Sequence, residues 1–220
     1  MATDKMERTS TLGLTYEQGK RRSVNEIKMP NDEALYHSLS QIKNPSARAY
    51  LVFIFLTGAR AKEILGIKKP IKERKGAKLE DRYLVEPLKK SDIEFSDTWM
   101  FVNNVPTFKR PGRPMRFFPV KFMNEKEHKY FLLFKEHYDA VKPDQYLWTF
   151  SRQYAYRMLK EVNNFHIHFL RSVRATRLAV DYDLDAIALQ KYFNWAELAP
   201  AAVYAQKNLK DVMKKMDQTK

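Results

Sequence analysis

The run from Tyr50 to Leu56 reads Tyr-Leu-Val-Phe-Ile-Phe-Leu, with only the Tyr50 hydroxyl to offer to water. Asn44-Pro45-Ser46 just before it starts a helix. A helix that is apolar on most of its faces needs partners on all of them, so this segment is expected to be a central buried helix. Thr57-Gly58 interrupts the pattern, and Arg60 to Leu65 resumes it. The rest of the chain must therefore wrap this rod. With 220 residues, 44% of them hydrophobic and 13% aromatic, it has the material to do so.

Residues 1 to 28 are polar, include the basic run Lys20-Arg21-Arg22, and read as a tail or linker. From Asn31 or Asp32, either of which can cap, a helix would carry Ala34, Leu35, Leu39 and Ile42 at helical spacing. Residues 68 to 90 hold nine Lys or Arg and four Asp or Glu, with Pro70, Gly76 and Pro87. They read as an exposed basic excursion. Ile93, Phe95, Trp99, Phe101, Val102, Phe117, Phe118 and Val120 favour two or three antiparallel strands, broken by the turn formers at 109–114. Helices are expected at about 124–138, 151–163, 168–180, 184–193 and 200–216. The resulting class is α+β and mainly helical, with a small antiparallel β-sheet inserted early.

Forty Lys and Arg against 26 Asp and Glu leave a formal charge of +14, which suits a polyanionic partner, either nucleic acid or an anionic membrane surface. The absence of cysteine excludes disulfide frameworks, thiolate zinc sites and cysteine nucleophiles. No stretch approaches about 18 consecutive apolar residues, so no membrane span is expected. No signal-peptide core opens the chain, which points to the cytosol, the nucleoid or, in a eukaryotic host, the nucleus. His166 and His168 lack acidic neighbours and six glycines form no phosphate-cradling loop, so neither metal nor ATP is expected as a cofactor.

Two segments carry candidate chemistry. The first is Leu56-Thr57-Gly58-Ala59-Arg60-Ala61-Lys62-Glu63-Ile64-Leu65. The second is His168-Phe169-Leu170-Arg171-Ser172-Val173-Arg174-Ala175-Thr176, in which His168, Arg171 and Ala175 share one helical face. Taken singly, each also fits a plain surface. Further on, Leu189-Gln190-Lys191-Tyr192-Phe193-Asn194-Trp195 is followed nine residues later by Tyr204. The ordered set Arg, His-x-x-Arg, Trp, Tyr resembles the catalytic domain of the tyrosine recombinases, the phage integrases and their relatives. The segment "LKKSDIEF" is similar to the approach to that family's β-sheet, and the likeness spans about residues 29 to 216.

The resemblance implies a DNA strand-transferase. Arg60 and Arg171 would clamp the phosphate oxygens with permanently charged, planar donors. His168 would shuttle a proton. Tyr204 would be the nucleophile, forming a 3′-phosphotyrosyl link and leaving a 5′ hydroxyl. Trp195 would donate its indole N–H to a phosphate oxygen while its ring buttresses Tyr204, or would only pack. Lys109 is the candidate acid for the leaving oxygen, with Arg110, Arg113 and Arg116 as competitors. Glu63 would orient Arg60, or be ordinary helix surface charge.

The sequence departs from the pattern at Ser172, where many members have a second His. Members also carry an all-helical DNA-clamping domain ahead of the catalytic one, which 28 polar residues do not form. The expectation is a catalytic fragment, or a minimal form that clamps DNA differently. The expected partner is double-stranded DNA. Leu209, Val212, Met213 and Met216 form an apolar stripe that would dock on a neighbouring subunit in a homotetramer, or pack within its own chain. Rival readings are a type IB-like topoisomerase, a telomere resolvase, a catalytically inactive DNA-binding relative, and a basic RNA-binding or membrane-surface protein.

Overall fold

The computed structural model describes residues 31–108, 112, 114–162 and 165–205. The chain divides into two compact units, 1–173 and 174–220.

The first unit is built around the apolar rod. Helix α1 (Asp32–Ser40) begins where the Asn31 side chain accepts the Glu33 N–H at 3.0 Å. Helix α2 (Pro45–Thr57) begins with Asn44 accepting the Ala47 N–H at 2.9 Å. Every residue from Ala49 to Thr57 is buried. Helix α5 (Glu125–Ala140) is the main cover, capped by Asn124, and it packs Tyr130 and Phe134 against α2. Phe53 meets Phe134 and Trp148 with centroids 5.2 Å away in each case, and Phe55 meets Tyr130 at 4.6 Å. Each such ring contributes about 1.5–3 kcal/mol of burial, so this aromatic sleeve fixes α2 from several directions. Helix α6 (Arg152–Val162) adds Ala155 and Leu159, one turn apart. Ile42 is buried as expected but lies beyond the end of α1, because Gln41 already closes the helix on the His37 and Leu39 carbonyls.

After α2 come the short helix α3 (Ala61–Leu65), strand β1 (Ile67–Lys68), the single turn α4 (Ile71–Arg74) and strand β2 (Tyr83–Val85). The basic excursion is thus more ordered than its composition suggests. β1 and β2 pair antiparallel, Ile67 with Val85 and Lys68 with Tyr83, and Tyr83 is buried. A second sheet holds β3 (Ile93–Phe95), β4 (Trp99–Pro106) and β5 (Met115–Lys121) in that order, all antiparallel. Met100, Val102, Phe118 and Val120 alternate into the core, while Trp99, Phe101 and Phe117 stack on the other face. Helix α7 (Ile167–Val180) follows, and the boundary between the units falls within it.

The second unit adds α8 (Ala186–Phe193) and α9 (Ala199–Tyr204). Its core is Ala175, Leu178, Ala179, Leu189, Phe193 and Ala201. The expected tail at 1–28, the stripe from Leu209 to Met216 and Lys109 lie outside the described residues. Among the described residues no helix is long and apolar enough to cross a membrane.

Gly66 is the tightest point of the first unit. Its φ of +67° ends α3, and a Cβ there would stand 2.2 Å from the Val85 carbonyl oxygen. Gly66→Ala is therefore expected to cost about 2–4 kcal/mol, from backbone strain and from the clash with β2, as read by urea unfolding.

Candidate active site

The first cluster begins at the end of the buried helix. Gly58 adopts the left-handed conformation, φ +64°, and donates its N–H to the Ile54 carbonyl. The Thr57 hydroxyl donates to the Phe53 carbonyl at 2.7 Å and accepts the Ala59 N–H at 3.1 Å, closing the turn within the core. That turn delivers Arg60 in an extended conformation as the residue before α3. The Glu63 carboxylate takes both the Arg60 main-chain N–H, at 2.7 Å, and its guanidinium, at 2.8 Å.

Glu63 is only 1% exposed, and it has a second cation. Arg116 of β5 donates to the same carboxylate at 2.6 Å, with its guanidinium 3.9 Å above the Phe118 ring. Arg171 of α7, 3% exposed, donates to the Gly58 carbonyl two residues before Arg60. A carbonyl at the C-terminal end of a helix carries partial negative charge, so a guanidinium is a favourable cap there. These four side chains comprise three guanidiniums and one carboxylate, an arrangement rich in donors for an oxyanion. His168 lies one turn before Arg171 on α7 and is exposed. The structure thus brings Arg60 and Arg171 to one turn and puts His168 on the helix that carries Arg171.

Arg116 was weighed in the sequence only as a competitor of Lys109. The structure uses it to hold Glu63. The same hairpin leads to Lys109: Val105 pairs with Arg116, Pro106 with Met115, and the Thr107 N–H reaches the Pro114 carbonyl at 3.1 Å. Lys109 itself, with Arg110 and Arg113, lies in the connection outside the described residues.

In the second unit, α8 closes on Asn194 in the left-handed conformation, φ +50°, and the Trp195 N–H returns to the Gln190 carbonyl at 3.0 Å. This reversal lays the Trp195 ring against Phe193, with centroids 4.6 Å apart and planes at 23°. Tyr204 stacks on the other partner of the series, 5.7 Å from Trp195 with planes at 10°. Tyr204 is the last residue of α9, whose first turn contains Pro200, and it is partly buried. The nine-residue step from Trp195 to Tyr204 is therefore a ring-on-ring contact.

No protein family and no curated protein matches this sequence. Solved structures do. The pre-cleavage complex of the XerH site-specific recombinase with its difH substrate is similar over 84% of this chain, with a TM-score of 0.54 and 18% identity. The post-cleavage complex of XerH with a palindromic difH substrate gives 0.51 and 20% over the same share. The fold is that of a tyrosine recombinase catalytic domain. The XerA recombinase is also matched, at 0.48 and 18%, over 85% of this chain and 62% of that one. This chain spans about half the length of the XerH chains, 51% and 50%. In this fold, as here, the inserted sheet and the helices around the rod belong to one expected class, α+β and mainly helical.

Glu63→Gln tests the cluster. It keeps the shape but removes the charge that neutralises Arg60 and Arg116, and breaking a buried pair from one side costs about 3–5 kcal/mol. Urea unfolding should show that loss, and Glu63→Gln combined with Arg116→Met should recover part of it.

Proposed function

We propose that residues 29–220 form the catalytic domain of a site-specific DNA recombinase that cuts and rejoins double-stranded DNA through a phosphotyrosine at Tyr204. The observation that carries this reading is the guanidinium cluster around Gly58, which holds Arg60 and Arg171 at one buried turn. A phosphodiester under attack gathers negative charge on its non-bridging oxygens, and guanidiniums set in advance stabilise it without reorganising. The recombinase fold, and the DNA bound to XerH in both complexes, support the same reading.

In this mechanism the Tyr204 phenolic oxygen attacks phosphorus and its proton passes to His168. The bond from phosphorus to the 5′ oxygen breaks, and Lys109 protonates the departing oxygen. A 5′ hydroxyl from the same or an exchanged strand then reverses each step. One phosphoester bond forms for each one broken, so the exchange needs neither ATP nor a metal. Trp195 positions the Tyr204 ring by stacking. Strand exchange between two sites involves four active sites, so the working form is a homotetramer on DNA, with the segment beyond Tyr204 linking subunits. Relaxation of supercoils without exchange of partners would favour the topoisomerase reading instead.

The test is an adduct assay on nicked duplexes chosen from a random pool by binding. Wild-type protein should yield an SDS-resistant protein–DNA adduct, and Tyr204→Phe none. Arg171→Ala should bind the same DNA but cleave about 100- to 1,000-fold more slowly, the usual loss on removing one oxyanion donor. An adduct that survives Tyr204→Phe sinks the assignment.

A further inference from the structure

The excursion between β1 and β2 takes no part in the Glu63 cluster or in the aromatic stack. Its antiparallel pairing, with α4 and the 3-10 turn Glu80–Arg82 in between, turns three cations toward one cleft. The cleft measures about 220 Å³ and is lined by Lys68, Arg74, Leu79, Arg82, Tyr83 and Thr149. Each cation has donors to spare. The Lys68 ammonium gives one hydrogen to the Thr149 carbonyl at 2.8 Å and stands 5.8 Å from the Tyr83 ring centroid. Among the described residues Arg82 donates through Nε alone, to the Ala77 carbonyl at 2.8 Å, and keeps its terminal nitrogens. Arg74 has its Nε shut off from water with no hydrogen-bond partner.

Among the described residues, no carboxylate pairs with any of the three. Like charges gathered without a counter-ion repel one another. The effect registers on Lys68, whose pKa is lowered first by burial and then by Arg74 and Arg82. A buried donor left unsatisfied costs about 1–3 kcal/mol, and an oxyanion would satisfy it while neutralising its neighbours. Guanidinium forks and an ammonium match the tetrahedral oxygens of phosphate. The space is smaller than the roughly 300–1,000 Å³ of sites that take whole drug-sized ligands, so one phosphate and what adjoins it is the right scale.

We infer that this cleft is a phosphate-binding site, in which Lys68, Arg74 and Arg82 hold one phosphate group, either of the DNA backbone or of a free phosphorylated molecule. The inference stands on the cleft alone. Under the recombinase reading, the backbone source would anchor DNA through residues outside those that surround Gly58.

Arg74→Gln is the primary variant, since among the described residues the Arg74 side chain makes no hydrogen bond that the fold would lose. Lys68→Met is the second, and equal melting temperatures show that both still fold. Duplex binding by the full chain is measured across a salt series. If the cleft holds a backbone phosphate, the slope of log K against log salt becomes shallower by about 0.9 in each variant, alike for all sequences. In parallel, inorganic phosphate is titrated and followed by ³¹P line broadening. Broadening by wild type that is lost in both variants, with an unchanged DNA slope, assigns the free source. Equal slopes together with equal broadening in all three proteins overturn the inference. Adduct formation by Arg74→Gln at saturating DNA should equal wild type, so a failure of the Tyr204 assignment is read separately.

Discussion

A carboxylate sealed from water is the constraint on which the first unit depends. Glu63 lies 1% exposed, and burying an isolated carboxylate would cost several kcal/mol. Three donors offset that cost: the Arg60 main chain, the Arg60 guanidinium and Arg116. Two of them belong to the turn after α2, and the third comes from β5, 53 positions along the chain. The inserted sheet is therefore fixed to the helical core by charge as well as by apolar packing. Phe118 beneath the Arg116 guanidinium adds a contact of the kind worth about 2 kcal/mol when shielded from water. Removing any donor leaves the others facing an under-neutralised charge, so the cluster behaves as a unit.

The buried rod explains why this cluster sits where it does. A helix without a polar face can end only where its last carbonyls find donors from elsewhere in the protein. The Gly58 N–H meets the Ile54 carbonyl, the Thr57 hydroxyl folds back onto the Phe53 carbonyl, and Gly58 reverses the backbone with a conformation that a Cβ would disfavour. Arg171 adds a donor at the Gly58 carbonyl, just beyond the helix. One turn thus terminates the core helix, anchors one guanidinium and presents another two residues later. The clamp proposed for a phosphate is a by-product of the way the core is closed.

Local signals in the sequence carried most of the helices. Asn31, Asn44 and Asn124 each cap the helix they precede, and the apolar rod is central, because caps and periodicity act within a few residues. Arg60 and Glu63 were legible as a pair for the same reason. Arg116 as the partner of Glu63 was not, since nothing near Arg116 marks a contact 53 residues away. The β1–β2 pairing was hidden as well. Its strands are two and three residues long and sit among Lys and Glu, so neither alternation nor β-branching announces them. The interval from Trp195 to Tyr204 was visible, but a spacing does not say that two rings lie parallel.

The two groups of residues that the proposed function draws on show contacts of different kinds. Arg60, Arg116 and Arg171 are fixed by charge-assisted hydrogen bonds to buried acceptors, each worth about 1.5–3 kcal/mol, with the cost of an unpaired buried charge standing behind them. Tyr204 rests on Trp195 through ring stacking, a contact of about 0.5–1.5 kcal/mol beyond the area it buries. Stacking fixes the plane of a ring more firmly than the rotation or slide within that plane. Such a division suits the proposed chemistry. Oxyanion donors work best when nothing has to reorganise around the developing charge, whereas a nucleophile must approach phosphorus, bond to it and later leave. The Trp195 stack lies on the face of the Tyr204 ring, so it orients the ring without having to be broken when the phenolic oxygen bonds to phosphorus.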